Sequence, residues 1–245
     1  MYRVRSGLIA GREHILSHNN CQDALQVQVI TINGGNYIIG VIADGCSEGA
    51  HSEVGAQLSV RFIIGRIQQY LQLEIPLQKI GNLLFQDLIY FLKSIVTANQ
   101  FGTPEELVSF IKDYLLFTTL GCIVSDKETV IFTAGDGIIV LNDQITIIDQ
   151  QNAPLYLGYQ LIDRTYLEKT AAALPNNFDM YFISNDQLQR LAFGSDAWID
   201  EQELLSQIWD TRGRGELQMR MNNWSKAKRL KDDASLIVIE VEPSL

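Results

Sequence analysis

Five carboxylates stand where an apolar stretch of this sequence abuts a turn: Asp23, Asp44 before Gly45, Asp136 between Gly135 and Gly137, Asp186 after Asn185, and Asp232 beside Asp233. Asp is a poor strand residue and costs free energy when taken out of water, so an acid at a strand end is tolerable where a cation or several donors meet it. Any one such Asp is ordinary turn chemistry. Five of them, in a chain whose three cysteines (Cys21, Cys46, Cys122) lie far apart and form no zinc spacing, point to an oxygen-ligand site for hard cations such as Mg²⁺ or Mn²⁺.

The elements that must position these acids follow from periodicity. Tyr37 to Ala43 is an apolar run of strand length that ends in Asp44-Gly45, and Leu25 to Ile32 reads as a second strand. Asn33-Gly34-Gly35 supplies the positive-φ residues of a tight hairpin between them, which places Asp23 and Asp44 at one edge of a sheet. Helical spacing predicts helices over Ser52 to Leu73, with Ser52 as N-cap, over Pro76 to Ala98, and from Thr103-Pro104 to about Tyr114. Strands are expected at 117–125, 129–134, 137–141 and 144–149 as an antiparallel meander, then at 164–173, 179–183 and 235–241. Short helices are expected at 187–193, 200–209 and 215–227, and residues 11–24 read as a polar loop. Strand runs on both sides of a helical block indicate an α+β fold, layers of antiparallel sheet covered by helices, rather than alternating βαβ units. With no repeat, low-complexity tract or linker, residues 1–245 read as one domain.

A formal charge of −10 argues against a nucleic-acid partner, which calls for a basic footprint. No charge-free stretch of membrane-spanning length and no leader-like apolar segment at the N-terminus is present, and the unpaired cysteines suit a reducing compartment, so a cytoplasmic protein is expected. The oligomeric state is left open, with a monomer as the expectation.

Read in order, the acidic blocks resemble the metal-dependent protein phosphatases of the PPM, or type 2C, family. Asn20-Cys21-Gln22-Asp23 is similar to the family's early Asn-Gln/Glu-Asp motif, Val41-Ile42-Ala43-Asp44-Gly45 to Val-Ala-Asp-Gly, and Thr118-Thr119-Leu120-Gly121 to the strand with paired Thr. Ala134-Gly135-Asp136-Gly137 resembles the Gly-Asp-Ser/Gly turn, Ile183-Ser184-Asn185-Asp186 the Ser-Asp-Gly motif, and Asp232-Asp233-Ala234-Ser235-Leu236-Ile237-Val238 the closing motif. The resemblance implies a sandwich of two antiparallel sheets flanked by helices, in α-β-β-α layers, with a two-metal centre at one end. It implies that Asp44 bridges two Mg²⁺ or Mn²⁺ ions, that the Gly45 carbonyl completes one, and that Asp186, Asp232 and Asp23 hold the other directly or through water. Asp136 becomes an outer or third-ion ligand. The implied reaction is hydrolysis of phosphoserine or phosphothreonine in a phosphoprotein.

The pattern departs from the family in several places. His18 stands where many members place a phosphate-gripping Arg, leaving Arg12 or the metal ions for that task. Cys46, read as a small buried thiol, replaces a His that serves as a proton donor. His51 is then a candidate catalytic acid from its nearness to the acidic loop, with His14 and His18 the other histidines. Gln187 replaces the glycine expected after the fourth acid, and Arg190 falls where an acid for a third ion is expected. These two residues motivate an alternative, a catalytically silent member of the fold that binds a protein or small ligand in signalling.

Overall fold

The computed structural model describes residues 2–151, 154–163, 165, 174–213 and 215–242. Its first complete unit is the expected hairpin: β2 (Asp23–Ile32) runs into β3 (Gly35–Gly45), with Asp23 directly opposite Asp44. The left-handed backbone of Asn33 and Gly34, at φ 50° and 78°, makes the turn. Along β3 the side chains divide by the two-residue period, Ile38 and Ile42 toward one core and Ile39, Val41 and Ala43 toward another. Both faces of this strand are buried, which is why its sequence is apolar without alternation.

On one face of this sheet pack α2 (Ser52–Gln72), α3 (Leu77–Ala98) and α4 (Pro104–Tyr114). Thr103 caps α4 by accepting the Glu106 N–H, with Pro104 in the first turn, as the sequence indicates. The α2 cap differs from expectation: His51 holds the N-cap position without a side-chain cap bond, and Ser52, the first helical residue, is buried with an unpartnered hydroxyl.

Among the described residues, ten strands form two antiparallel sheets. One is ordered β2-β3-β4-β5-β8, with β4 Phe117–Val124, β5 Glu128–Ala134 and β8 Asp179–Ser184. The other is β1-β10-β9-β6-β7, with β1 Tyr2–Ile9, β6 Gly137–Leu141, β7 Gln144–Ile148, β9 Arg190–Gly194 and β10 Ala234–Val241. Ile42, Leu120, Phe193 and Ile237 interdigitate between them. The outer face of the second sheet is covered by α5 (Gln202–Leu205) and α6 (Glu216–Lys226) around the fully buried Trp198. The α-β-β-α sandwich is therefore as the resemblance implies.

Several local expectations are corrected. The meander is two hairpins in different sheets: the chain leaves β5 in one sheet and enters β6 in the other through Gly135-Asp136-Gly137. Gly135 has φ +93° and Gly137 φ +154°, and a Cβ on Gly135 would stand 2.7 Å from Thr118 Cγ2. Residues 187–193 are not a helix. Leu191, Ala192 and Phe193 are wholly buried and belong to β9, which fills the slot between β10 and β6. The polar loop after β1 contains a short helix, α1 (Arg12–Ser17), and 200–209 contains only α5 and a 3₁₀ turn. The strand expected at 164–173 lies, apart from Thr165, outside the described residues. No helix among the described residues is long and apolar enough to cross a membrane.

Candidate metal centre

Strand direction decides which acids meet. Pairings Asp23↔Asp44, Asp44↔Thr118, Thr119↔Ala134, Gly194↔Leu236 and Ile9↔Ala234 all fall at one end of the sandwich. Asp44 ends β3 there, Asp136 follows β5, and Asp232-Asp233 precede β10. The fourth acid is Asp196, directly after β9 in Ser195-Asp196-Ala197, and not Asp186. Residue 186 follows β8, which runs away from this end, since Asp179 pairs with Thr133 and Ser184 with Glu128. Asp186 is exposed beside Asn185, whose side chain bonds the Ser125 carbonyl and the Thr129 hydroxyl at the far end. Gln187 and Arg190 share that end. Arg190 pairs with Asp143 and stacks over Trp209, so neither residue stands where the sequence reading placed it.

Asp44 lies against Asp23 on one side and Asp196 on the other, and Asp232 is the next charge beyond Asp196. Burial and the neighbouring carboxylates push Asp44 well above the usual carboxylate range, and burial chiefly raises Asp23 and Asp196. Asp136, which accepts the Gln150 N–H at 2.7 Å, is pushed up to about 6, mainly by burial. Asp23 is 2% exposed, and neither of its oxygens makes a hydrogen bond of ordinary geometry, although the Ser195 and Ser235 hydroxyls face it. Thr118, Thr119, Ser52 and Ser235 also carry buried, unpartnered hydroxyls. Carboxylates cannot bond one another as anions; such an arrangement calls for shared protons or a cation.

Two cavities open onto this end and share Asp196 and Asp232. One, of about 360 Å³, is lined by Asp136, Asp149, Asp200 and Lys231 as well. The other, of about 50 Å³, is bounded by Asp44, Gly45, Thr118 and Tyr156. Of the cations on the walls, Arg229 is engaged by Glu201 and Glu203. A set of carboxylates with orphaned hydroxyls behind it suits a hard divalent cation.

The structure thus brings together Asp23, Asp44, Gly45, Asp136 and Asp232. It does not bring His51 to the cavities: that ring is half exposed against Tyr114, 5.1 Å between centroids. Cys46 is half-buried rather than buried, with its thiol beside the Tyr156 hydroxyl. The histidine at this end is His14, on α1, whose Nδ1 is 2.7 Å from Asp233 Oδ2. Asp196 had a signal in the sequence, the apolar run 191–193 ending in Ser-Asp; His14 had none, because its placement depends on how α1 docks.

The comparisons with known proteins agree with this fold. The protein phosphatase 2C family matches residues 10–158, more than half of the chain, from just before α1 to past β7. No curated protein matches. Among solved structures, serine/threonine phosphatase Stp1 from Staphylococcus aureus superposes with a TM-score of 0.62 at 16% identity, covering 99% of this chain and 96% of that one. The catalytic domain of the serine/threonine protein phosphatase PstP in complex with two manganese ions gives 0.60 at 14% identity, covering 99% of each. RsbX in complex with magnesium gives 0.53 at 11%, covering 98% of this chain and 96% of that one. At such identities these likenesses concern the fold, whereas the family match runs through Asp23, Asp44 and Asp136. The chain belongs to the protein phosphatase 2C family.

Proposed function

We propose that this chain, acting as a single domain, hydrolyses phosphoserine or phosphothreonine in proteins with two Mg²⁺ or Mn²⁺ ions. The observation that carries the reading is the convergence of Asp44, Asp196 and Asp232 from three separate strand ends on two adjoining cavities. Asp44 and the Gly45 carbonyl, Asp196 and Asp232 are the residues to hold the ions, with Asp136 on the outer side. Bound divalent cations supply Lewis acidity toward phosphate oxygens and an attacking water. The chain's own part is to fix the oxygens that hold them, to seal the inner recess with Thr118 and Tyr156, and to present Lys231 to an incoming phosphate from the wall of the outer cavity. PstP with its two manganese ions and RsbX with magnesium support the choice of cation. Three free thiols fit a cytoplasmic setting, and signalling phosphoproteins are the substrate class.

The silent alternative loses its motive, because Gln187 and Arg190 lie at the far end of the sandwich and Ala197, a small residue, follows Asp196. Titrating Mn²⁺ and Mg²⁺ into chelator-stripped protein, with p-nitrophenyl phosphate and a phosphothreonine peptide as substrates, tests the proposal. Turnover that rises with metal and vanishes in Asp44→Ala is expected; metal binding without turnover on either substrate would return the silent reading.

A further inference from the structure

Helix α1 is stitched onto the turn that carries Asp232. The Glu13 N–H bonds the Lys231 carbonyl at 3.2 Å, and the Gly11 N–H bonds Asp233 Oδ1 at 2.6 Å. Gly11 lies so close that a Cβ there would stand 2.3 Å from the Asp232 carbonyl carbon. The consequence is that His14, one turn on, meets the same turn: ligand atoms of His14, Asp232 and Asp233 all lie within 4.8 Å of one another.

The hydrogen bonds fix how this imidazole is presented. Asp233 is 3% exposed and serves as an acceptor throughout, taking the Gly11 N–H, the Gln22 N–H at 2.5 Å and His14 Nδ1 at 2.7 Å. Nδ1 is therefore the protonated nitrogen, and the lone pair of a neutral ring is on Nε2. A buried carboxylate that orients an imidazole for a cation is a recurring device of metal centres.

Resting on the metal-dependent reading above, we propose that His14 is a nitrogen ligand of the divalent ion held by Asp232, with Asp233 as its orienting partner. The centre is then not an all-oxygen one. Mn²⁺, though hard, accepts an imidazole nitrogen more readily than Mg²⁺, which keeps to oxygen, so His14 biases the chain toward Mn²⁺.

The experiment is electron spin echo envelope modulation of Mn²⁺ bound to the full chain, made with and without ¹⁵N-histidine. His14→Asn keeps a donor for Asp233 but removes the distal nitrogen, and His18→Asn/His51→Asn leaves His14 as the remaining histidine of three. Expected are a directly coordinated histidine nitrogen in the wild type and in the double variant, and its loss in His14→Asn. Calorimetric Mn²⁺ affinity should fall in His14→Asn by at least about tenfold, with a smaller loss for Mg²⁺. Should His14→Asn fail to fold, the double variant decides alone. Mn²⁺ bound without histidine coupling overturns the assignment and leaves the phosphatase reading standing; a wild-type chain that binds no Mn²⁺ overturns both.

Discussion

Two strand ends in this molecule carry nearly the same sequence and have opposite fates. After β8 the chain reads Ile183-Ser184-Asn185-Asp186; after β9 it reads Phe193-Gly194-Ser195-Asp196. Asn185-Asp186 closes a turn at the far end, its amide tying Ser125 and Thr129 together. Ser195-Asp196 opens onto the acidic cavities, its hydroxyl accepting the Ser235 N–H at 3.1 Å. An acid after a strand is thus a turn residue or part of the acidic cavities according to the direction of the strand.

The largest effect expected from this contrast is on hydrolysis. Asp196→Ala should lower metal-dependent turnover by on the order of 10²–10³, as for loss of one preorganised charge-stabilising group, while Asp186→Ala leaves it at the wild-type level. Comparable losses from both variants in steady-state assays would erase the distinction.

Next come two glycines, one at each end. Gly11→Ala drives a Cβ into the Asp232-Asp233 backbone and should cost about 1–3 kcal/mol or more, as overpacking does. Gly34→Ala meets nothing within 4 Å and suffers only its positive φ, about 1 kcal/mol. Chemical denaturation of the two variants ranks them, and an equal cost would mean that α1 yields freely.

The acidic end should also respond to pH in a distinctive direction. A carboxyl whose native value stands above its unfolded value keeps its proton longer in the folded state, so folding gains stability as pH falls through that value and loses it as pH rises. Asp23, Asp44, Asp136 and Asp196 are all raised, Asp136 to about 6. Chelator-treated protein should therefore melt higher at pH 5.5 than at pH 8. Asp23→Asn should flatten that slope and raise the pH 8 midpoint by roughly 2–4 °C per kcal/mol gained. Mn²⁺ at about 100 times its dissociation constant should add about 2.7 kcal/mol for each ion bound. Melting curves that fall steadily from pH 8 to 5.5 without metal would contradict this. The smallest effect is at the far turn, where Asn185→Ala should cost about 1 kcal/mol of stability and nothing in turnover.

Most of the fold was legible because both strands and helices announce themselves by period. The unbroken apolar run 37–43, the Asn33-Gly34-Gly35 turn and the Thr103-Pro104 cap each became what they predict. The fourth acid was misread for a reason of direction. Asp186 was chosen on the likeness of Ile183-Ser184-Asn185-Asp186 to a Ser-Asp-Gly motif, and reading 187–193 as a helix left Ser195-Asp196 with no strand before it, whereas β8 runs away from the site and β9 toward it. The run 190–193 is too short for its period to separate helix from strand, and burial between β10 and β6 settles it. His14 was illegible for another reason: a six-residue helix has little pattern, and its partner is 219 residues away in sequence.

That separation has a bearing on assembly. Among the described residues β1 has β10 as its hydrogen-bonded neighbour, a strand more than two hundred residues further on, and Asp232 lies just before it. The hydrogen bonds that hold α1 against Lys231 and Asp233 span more than two hundred residues, so closing them costs more chain entropy than closing the β2–β3 hairpin. Residues up to the end of β8 supply one whole sheet and the apolar layer beneath α2, α3 and α4, together with Asp23, Asp44 and Asp136, but neither Asp196 nor Asp232. The acidic end is thus assembled only when β10 docks beside β1, so an activity assay on this protein reports that docking as much as chemistry.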